Sequence, residues 1–303
     1  MTATLPRKSS VLGGRMYRVA VIMLCGMVSI AARAEDPFKF DVETTLMYAR
    51  INGAATIFQI DVQRYFNTVN TQSRSRAEAA FLQHASSVNV AVYNMGIDGE
   101  NFQGNELGAN GAIRYVLDGY PFVVSAKVGG AAQEIAHSDA NLNTSMYGVG
   151  AGAYVTQGTY LGGEYSKANQ TLSSSAYYVN EKKSSTDVGI HVKSVFEISD
   201  TLAAAVTASR TQTRFAHNAD ADFSTLDFGL DVYVNRETSV GIQTEDEQRS
   251  GGGDLRVRTI VLRWFFVPQV SVKLEFGQLM ERDPALNSIR RHQVVGLSLS
   301  GDM

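Results

Sequence analysis

Residues 255–281 have the sequence LRVRTIVLRWFFVPQVSVKLEFGQLME, two alternating stretches on either side of one proline. Apolar side chains recur at every second position before Pro268 and again after it, and the positions between them are more polar. Period-two alternation is typical of a β-strand with two different faces, and a proline is tolerated at a strand end. The stretch therefore predicts a hairpin of two long antiparallel strands that turns at Pro268.

The same pattern recurs through most of the chain. Short turns are predicted near residues 118, 157, 199, 236 and 268. Longer polar connections alternate with them, at 97–104, 135–144, 173–185, 216–224, 248–253 and 282–287. Strands of about ten residues are long enough to cross a bilayer when tilted. Short turns on one rim and longer loops on the other are typical of an outer-membrane barrel, with the short turns in the periplasm.

The strand count favours an all-β, antiparallel up-and-down transmembrane barrel of fourteen strands. A strand pair at 38–66, a strand ending near Met95 and eleven later strands make up that number. An even count places both ends of the barrel on the periplasmic side, as a secreted chain requires. The alternative is twelve strands, with residues 35–85 inside or beneath the barrel.

The first 34 residues have the features of a cleaved signal peptide. A basic start precedes the apolar run 19–30, and Ala32-Arg33-Ala34 supplies a small-x-small cleavage site, which leaves 35–303 as the barrel. Cys25 is the only cysteine, so the mature chain would have no disulfide. Removing five basic residues from a chain with 27 basic and 30 acidic residues leaves a net charge near −8. That balance argues against a nucleic-acid partner.

Most charged side chains fall on the more polar face of the strands. In hydrocarbon each would cost roughly 2–4 kcal/mol near the midplane, so we predict that this face lines a water-filled lumen. Both signs are represented, so ion selectivity is not readable from them, and for each residue taken singly an ion pair on the wall is the favoured interpretation. The candidates are Lys39, Asp41, Glu43, Asp61, Arg114, Lys127, Glu164, His191, Lys193, Glu197, Asp227, Asp231, Arg263, Lys273 and Glu275.

Aromatic residues near strand ends fall on the apolar face. They suit the aromatic girdles found at the two membrane interfaces, or ordinary packing against a neighbouring strand. They are Tyr48, Phe66, Tyr115, Tyr120, Phe122, Tyr165, Trp264 and Phe266.

Three short runs near the N-terminus carry a family resemblance. The sequences YFNTVNT at 65–71, AEAAFL at 77–82 and ASSV at 85–88 resemble the N-terminal signature of the general bacterial porins, outer-membrane channels of Gram-negative bacteria. The resemblance implies a strand ending at Tyr-Phe, a periplasmic turn and a strand that carries AEAAFL. This chain has Arg-Ser-Arg at 74–76 where the family has Gly-Pro. Helix propensity alone predicts a short helix at 76–87 instead.

The last strand is predicted at 288–300, and it lacks one feature of such barrels. They usually end on an aromatic residue that the barrel-assembly machinery recognises, whereas this chain ends VVGLSLSGDM. We expect Val295, Leu297 and Leu299 to supply the lipid-facing row and residues 301–303 to overhang into the periplasm.

The function that these features favour is a porin of the outer membrane, a passive channel for small hydrophilic solutes and ions. Its expected partners are outer-membrane lipids, the barrel-assembly machinery and those solutes. An alternative is a dedicated oligosaccharide or polysaccharide channel, which would need a continuous ladder of lumen aromatics, whereas Tyr93, Tyr154 and Tyr233 are scattered. An enzyme or adhesion barrel is a weaker alternative, because no Gly-x-Ser-x-Gly elbow is present and the histidines lack metal-site spacing. We therefore expect no catalytic residues, no metal and no cofactor.

Overall fold

The computed structural model describes residues 38–49, 53–70, 76–99, 103–135, 140–174, 179–199, 202–216, 218–235, 237–267, 270–283 and 288–302. The predicted signal peptide and its cleavage site lie outside these residues. Among the helices within them, none is long and apolar enough to cross a membrane.

Fourteen antiparallel strands form one closed barrel, in which each strand pairs with its sequence neighbours and the last pairs with the first. The predicted fold and strand number are therefore confirmed, and the twelve-strand alternative is wrong. The strands are β1 (Phe38–Ala49), β2 (Gly53–Val69), β3 (Ser87–Gly99), β4 (Gln103–Val116), β5 (Phe122–Ile135), β6 (Ala140–Thr156), β7 (Thr159–Ser174), β8 (Val179–Glu197), β9 (Ala203–Phe215), β10 (Phe223–Tyr233), β11 (Thr238–Arg249), β12 (Leu255–Val267), β13 (Val270–Asp283) and β14 (Ser288–Asp302).

The two faces of the barrel differ as they must in a membrane. Along β5, exposed and less exposed residues alternate, and the exposed ones include Phe122, Val124 and Val128. Lys127 lies between them on the inner face. An apolar outer row that alternates with a polar inner row is typical of a barrel in lipid. The eight aromatic residues predicted for the outer face are likewise all exposed.

The five predicted short turns are confirmed: two residues separate β6 from β7 and β12 from β13, four separate β10 from β11, and five separate β4 from β5 and β8 from β9. The predicted long loops are wrong in extent. β7 continues to Ser174 and β8 begins at Val179, so most of the predicted loop 173–185 is strand. Where a strand extends beyond the bilayer, both of its faces carry polar side chains, but its backbone hydrogen bonds to the neighbouring strands continue. The polar composition of these strand ends is the reason that a loop was predicted there.

The predicted overhang of residues 301–303 is also wrong for Gly301 and Asp302, and Met303 lies outside the described residues. β14 continues to Asp302, and Gly301 lies between Val42 of β1 and Val270 of β13. Asp302 is opposite Asp41. A closed barrel leaves no unpaired strand edge, so the end of β14 extends along β1 as far as β1 can pair with it.

A plugged lumen as the candidate functional site

Residues 76–86, the part of the connection that directly precedes β3, fold into the barrel, and we call them the plug segment. A 3-10 turn at Arg76–Glu78 leads into a short helix, α1, at Ala79–Leu82. The strand that the family resemblance implied for AEAAFL is therefore wrong, and the helix favoured by propensity is present. The backbone N–H of Gln83 donates to the carbonyl of Ala79 at 3.0 Å. His84 then adopts φ 53°, a left-handed conformation uncommon outside glycine, and turns the chain back to the wall.

Apolar contacts fix the plug segment to opposite sides of the barrel. Ala79 packs on one side against Tyr65 and Val69 of β2. Leu82 packs on the other side against four residues of β8–β10, namely Val195, Ala203, Ala205 and Tyr233. In a closed ring of fourteen strands, β2 and β9 stand diametrically opposite each other. The plug segment therefore has contacts on both of these sides of the lumen.

A buried carboxylate is the polar anchor of α1. Glu78 is 5% exposed, and its Oε2 lies 2.5 Å from Lys193 Nζ on β8. The Tyr233 hydroxyl of β10 donates to Glu78 Oε1 at 2.8 Å. Lys193 Nζ also lies 4.8 Å from the centre of the Phe81 ring, a cation–π distance. Because Glu78 has lost most of its hydration, these partners stabilise the charge that it holds in the lumen immediately before α1.

Arg114 of β4 is a second anchor, at the C-terminal end of the plug segment. Its Nη1 donates to the Ala85 carbonyl at 2.7 Å, and its Nη2 donates to the Tyr154 hydroxyl at 2.5 Å. That hydroxyl donates in turn to the Phe81 carbonyl at 3.2 Å. The His84 ring stacks on Tyr154 with centroids 3.6 Å apart. The hydrogen bonds of Arg114 therefore position the plug segment.

Aromatic rings continue from the plug segment along the wall. The centroid distances are 5.4 Å from Phe81 to Tyr154, 5.4 Å from Tyr154 to Tyr160 and 5.2 Å from Tyr160 to His191. Tyr154 is 4% exposed and Tyr160 is 8% exposed. The rings form a packed layer beneath the plug segment, with little ring surface open to the lumen.

The predicted lumen candidates all lie on the face of the sheet that the plug segment contacts, as the strand register requires. Two of them, Arg114 and Lys193, hold the plug segment. Lys127 and Glu164 form an ion pair of 3.0 Å. Lys39 and Glu197 are exposed at strand ends.

A second set of candidates lies along β1, β2, β10, β12 and β13. Lys273 Nζ lies 3.0 Å from Glu43 Oε1 and 3.4 Å from Glu275 Oε1. Asp61 accepts hydrogen bonds from Asn89 and, at 3.4 Å, from Gln59. The other members are Asp41, Asp227, Asp231 and Arg263. The structure thus divides the candidates into a group beside the plug segment and a group centred on β1, β12 and β13, with members on the neighbouring β2 and β10.

Solved structures of outer-membrane barrels are similar to this chain. The outer membrane protein Omp33 of Acinetobacter baumannii is 20% identical, with a TM-score of 0.59, over 88% of this chain and 98% of that one. A FadL homologue of Pseudomonas aeruginosa is 12% identical, with a TM-score of 0.54, over 87% and 90%. A deletion mutant of TodX, a monoaromatic hydrocarbon channel, is 10% identical, with a TM-score of 0.51, over 91% and 93%. No protein-family model and no curated protein matches the chain.

At these identities the likeness concerns the fold. The chain is an outer-membrane β-barrel. The closed ring, its apolar outer face and these similar structures place it in the outer membrane, which confirms the coarser part of the family resemblance.

Several residues of the plug segment were not predicted from the sequence. Three of them, Glu78, Phe81 and Leu82, have the i, i+3, i+4 spacing that places side chains on one side of a helix, and this spacing would have been enough to predict them. His84 and Tyr160 had no such signal, because their roles depend on contacts with distant strands.

Proposed function

We propose that the protein is a channel through which small hydrophilic solutes and ions diffuse passively across the outer membrane. The observation that carries the proposal is the contrast between the two faces of the barrel, with apolar rows outside and the charged candidates inside. A charged side chain loses several kcal/mol in hydrocarbon and little in water, so a hydrated lumen accounts for the inner face. The plug segment narrows this lumen, so solute size and charge are selected beside it.

A hydrocarbon route of the kind named for TodX fits this lumen less well. The inner wall presents ion pairs such as Lys127–Glu164 and the Lys273 cluster, together with the carboxylate of Asp61. An apolar solute passing these groups would displace their water and offer no hydrogen bond in return. The wall therefore favours polar solutes.

An oligosaccharide channel needs exposed aromatic faces on which sugar rings stack. The aromatic layer of Tyr154 and Tyr160 is continuous but buried beneath the plug segment. Tyr93 lies against Gly108, and its hydroxyl donates to Glu106 at 2.8 Å. These rings favour a structural role, so we retain the small-solute channel as the proposal.

We likewise propose no catalytic role, and the described residues contain no group of three or more potential metal ligands.

Reconstitution of the purified protein tests the proposal. In planar bilayers we expect discrete ohmic conductance steps, and in liposomes we expect uptake of neutral sugars that falls as sugar size rises. Protein unfolded by heating before reconstitution is the control. A folded, inserted barrel that passes neither ions nor small sugars would refute the proposal, and uptake of toluene without uptake of sugars would favour a hydrocarbon route.

A further inference from the structure

The plug segment leaves one sector of the barrel wall uncovered, and that sector differs in charge from the wall that the segment contacts. Contacts of the plug segment lie on β2 and on β4–β10, so the uncovered sector runs from β11 through β14 to β1. In this sector and on β2 and β10 at its two edges lies a set of charges that we call the acidic wall: Asp41, Glu43, Asp61, Asp231, Arg263, Lys273 and Glu275. We infer that solutes pass along the acidic wall and that it makes the channel selective for cations. This inference rests on the proposed channel function.

The charges of the acidic wall do not balance. Five carboxylates face two cationic groups. Lys273 is shared between Glu43 at 3.0 Å and Glu275 at 3.4 Å. Arg263 attracts both Asp41 and Asp231 electrostatically. Neither aspartate, however, forms an ion pair within 4 Å with another residue in the described part of the chain. The wall therefore has excess negative charge that mobile cations would neutralise.

A cavity of about 360 Å³ lies against this wall and provides an independent observation. Its lining includes three carboxylates and one ammonium group, on Asp41, Glu43, Asp61 and Lys273, with the remainder supplied by Thr45, Gln59, Gln63 and Asn89. Asp41 Oδ1 is shielded from bulk solvent and, among the described residues, has no hydrogen-bond donor. An acceptor left without a donor costs free energy. A cation in the cavity would offset part of that cost through its charge, without touching Oδ1.

The wall beneath the plug segment does not offer the same attraction. Glu78 of the plug segment is paired with Lys193 at 2.5 Å, and Glu164 is paired with Lys127 at 3.0 Å. Asp187 accepts hydrogen bonds from Ser166 at 2.9 Å and from Thr213 at 2.8 Å, and Glu106 accepts one from Tyr93 at 2.8 Å. Arg114 is bound to the plug segment and to Tyr154. The two walls therefore differ in how their carboxylates are held, because these carboxylates have ion-pair partners or hydroxyl donors whereas Asp41 Oδ1 on the acidic wall has no donor among the described residues.

Two glycines let carboxylates of the acidic wall lie close to the backbone. A Cβ added at Gly241 would overlap the carboxylate of Asp231, and one at Gly296 would lie 2.7 Å from Glu275 Oε2. The carboxylates thus occupy the space that larger side chains would fill. They line the passage without projecting across it, which suits a path for cations rather than a closed ion-pair network.

Reversal potentials in a KCl gradient test the inference on the full-length barrel. We expect the wild-type channel to prefer potassium over chloride. The triple variant Asp41→Asn, Asp61→Asn, Asp231→Asn should lower that preference by roughly threefold or more, and more so at low salt, where screening is weaker. Asp231→Asn alone should give a smaller change in the same direction, and it serves if the triple variant fails to fold. Glu134→Gln removes one charge from an exposed position on the outer face of β5 and should change nothing.

Solute uptake gives a second readout. Liposomes containing the wild-type channel should take up lysine faster than glutamine and glutamine faster than glutamate, and the triple variant should reduce these differences. A conducting wild-type channel without cation preference would refute the inference but not the proposed channel function. A triple variant with unchanged selectivity would have the same consequence. A folded, inserted wild-type barrel that carries no current would refute the channel itself and this inference with it.

Discussion

Replacing Leu82 by alanine should release the plug segment from the wall of the barrel. Leu82 is 4% exposed and packs against the apolar cluster of β8–β10. Leucine-to-alanine changes at such sites cost about 2–5 kcal/mol, because transfer free energy is lost and a cavity remains. At 1.4 kcal/mol per factor of ten, the ratio of docked to released plug segment falls between about 30-fold and several thousand-fold. We expect a released segment to leave the lumen wider.

The expected gain in conductance follows from the cross-section of the lumen and from the part of it that the plug segment covers. Fourteen strands about 4.8 Å apart and tilted by about 40° enclose a barrel about 28 Å across between backbones. With about 5 Å of side chain on each wall, the lumen is about 18 Å wide and has a cross-section of about 250 Å². The helical turns of the plug segment, about 10 Å long and 10 Å wide, cover about 100 Å² of it. Conductance should therefore rise about 1.5- to 2-fold when the segment leaves.

Single-channel recording in planar bilayers measures this change directly. The matched control is Leu107→Ala on β4, which removes the same atoms from a residue on the outer face that is 57% exposed. It should leave conductance unchanged. Heat-modifiable mobility on gels establishes that both variants contain folded barrels. A folded Leu82→Ala barrel with wild-type conductance would show that the plug segment does not limit the passage.

Three further predictions concern the wall, its closure and its orientation. Leu230→Arg, on the lipid face of β10, should cost about 2–4 kcal/mol and reduce insertion, whereas Asp231→Arg should fold, as membrane fractionation will show. Deleting residues 301–303 removes the pairs that Gly301 makes with both neighbouring strands, so the barrel should melt at a lower temperature on heated gels. In intact cells a membrane-impermeant maleimide should label Ser250→Cys and not Asn235→Cys, and the reverse pattern would contradict the assigned orientation.

The barrel could be predicted from the sequence because its decisive signal is local. The alternation of residues 255–281 specifies strand, face and turn together, and β12 and β13 occur where that pattern places them. The extent of the strands was harder to predict. Outside the bilayer, both faces of a strand meet water, so the alternation disappears although the ladder continues. The end of β14 was missed for a related reason, since its length is set by pairing with β1.

The plug segment shows what local sequence does not determine. AEAAFL has helix propensity, but a helix of four residues does not persist on its own in water. Its conformation depends on Tyr65 and Val69 on one side of the lumen and Tyr233 on the other. Tyr233 is 155 residues away from Glu78 in the sequence. Without the closed ring, neither contact could be anticipated.

An ion pair in the lumen can join two strands that are not neighbours. Such a pair needs matching register and a small residue on the strand between them. Lys127 of β5 and Glu164 of β7 meet across β6, where their register neighbours are Gly148 and Gly150. A Cβ at Gly148 would lie 2.8 Å from Lys127 Cε, so the glycine leaves room for the lysine to reach across. Alternation shows which face a charged residue occupies but not its partner. The partner can be identified only from the strand register and from the size of the residue on the strand between the two charges.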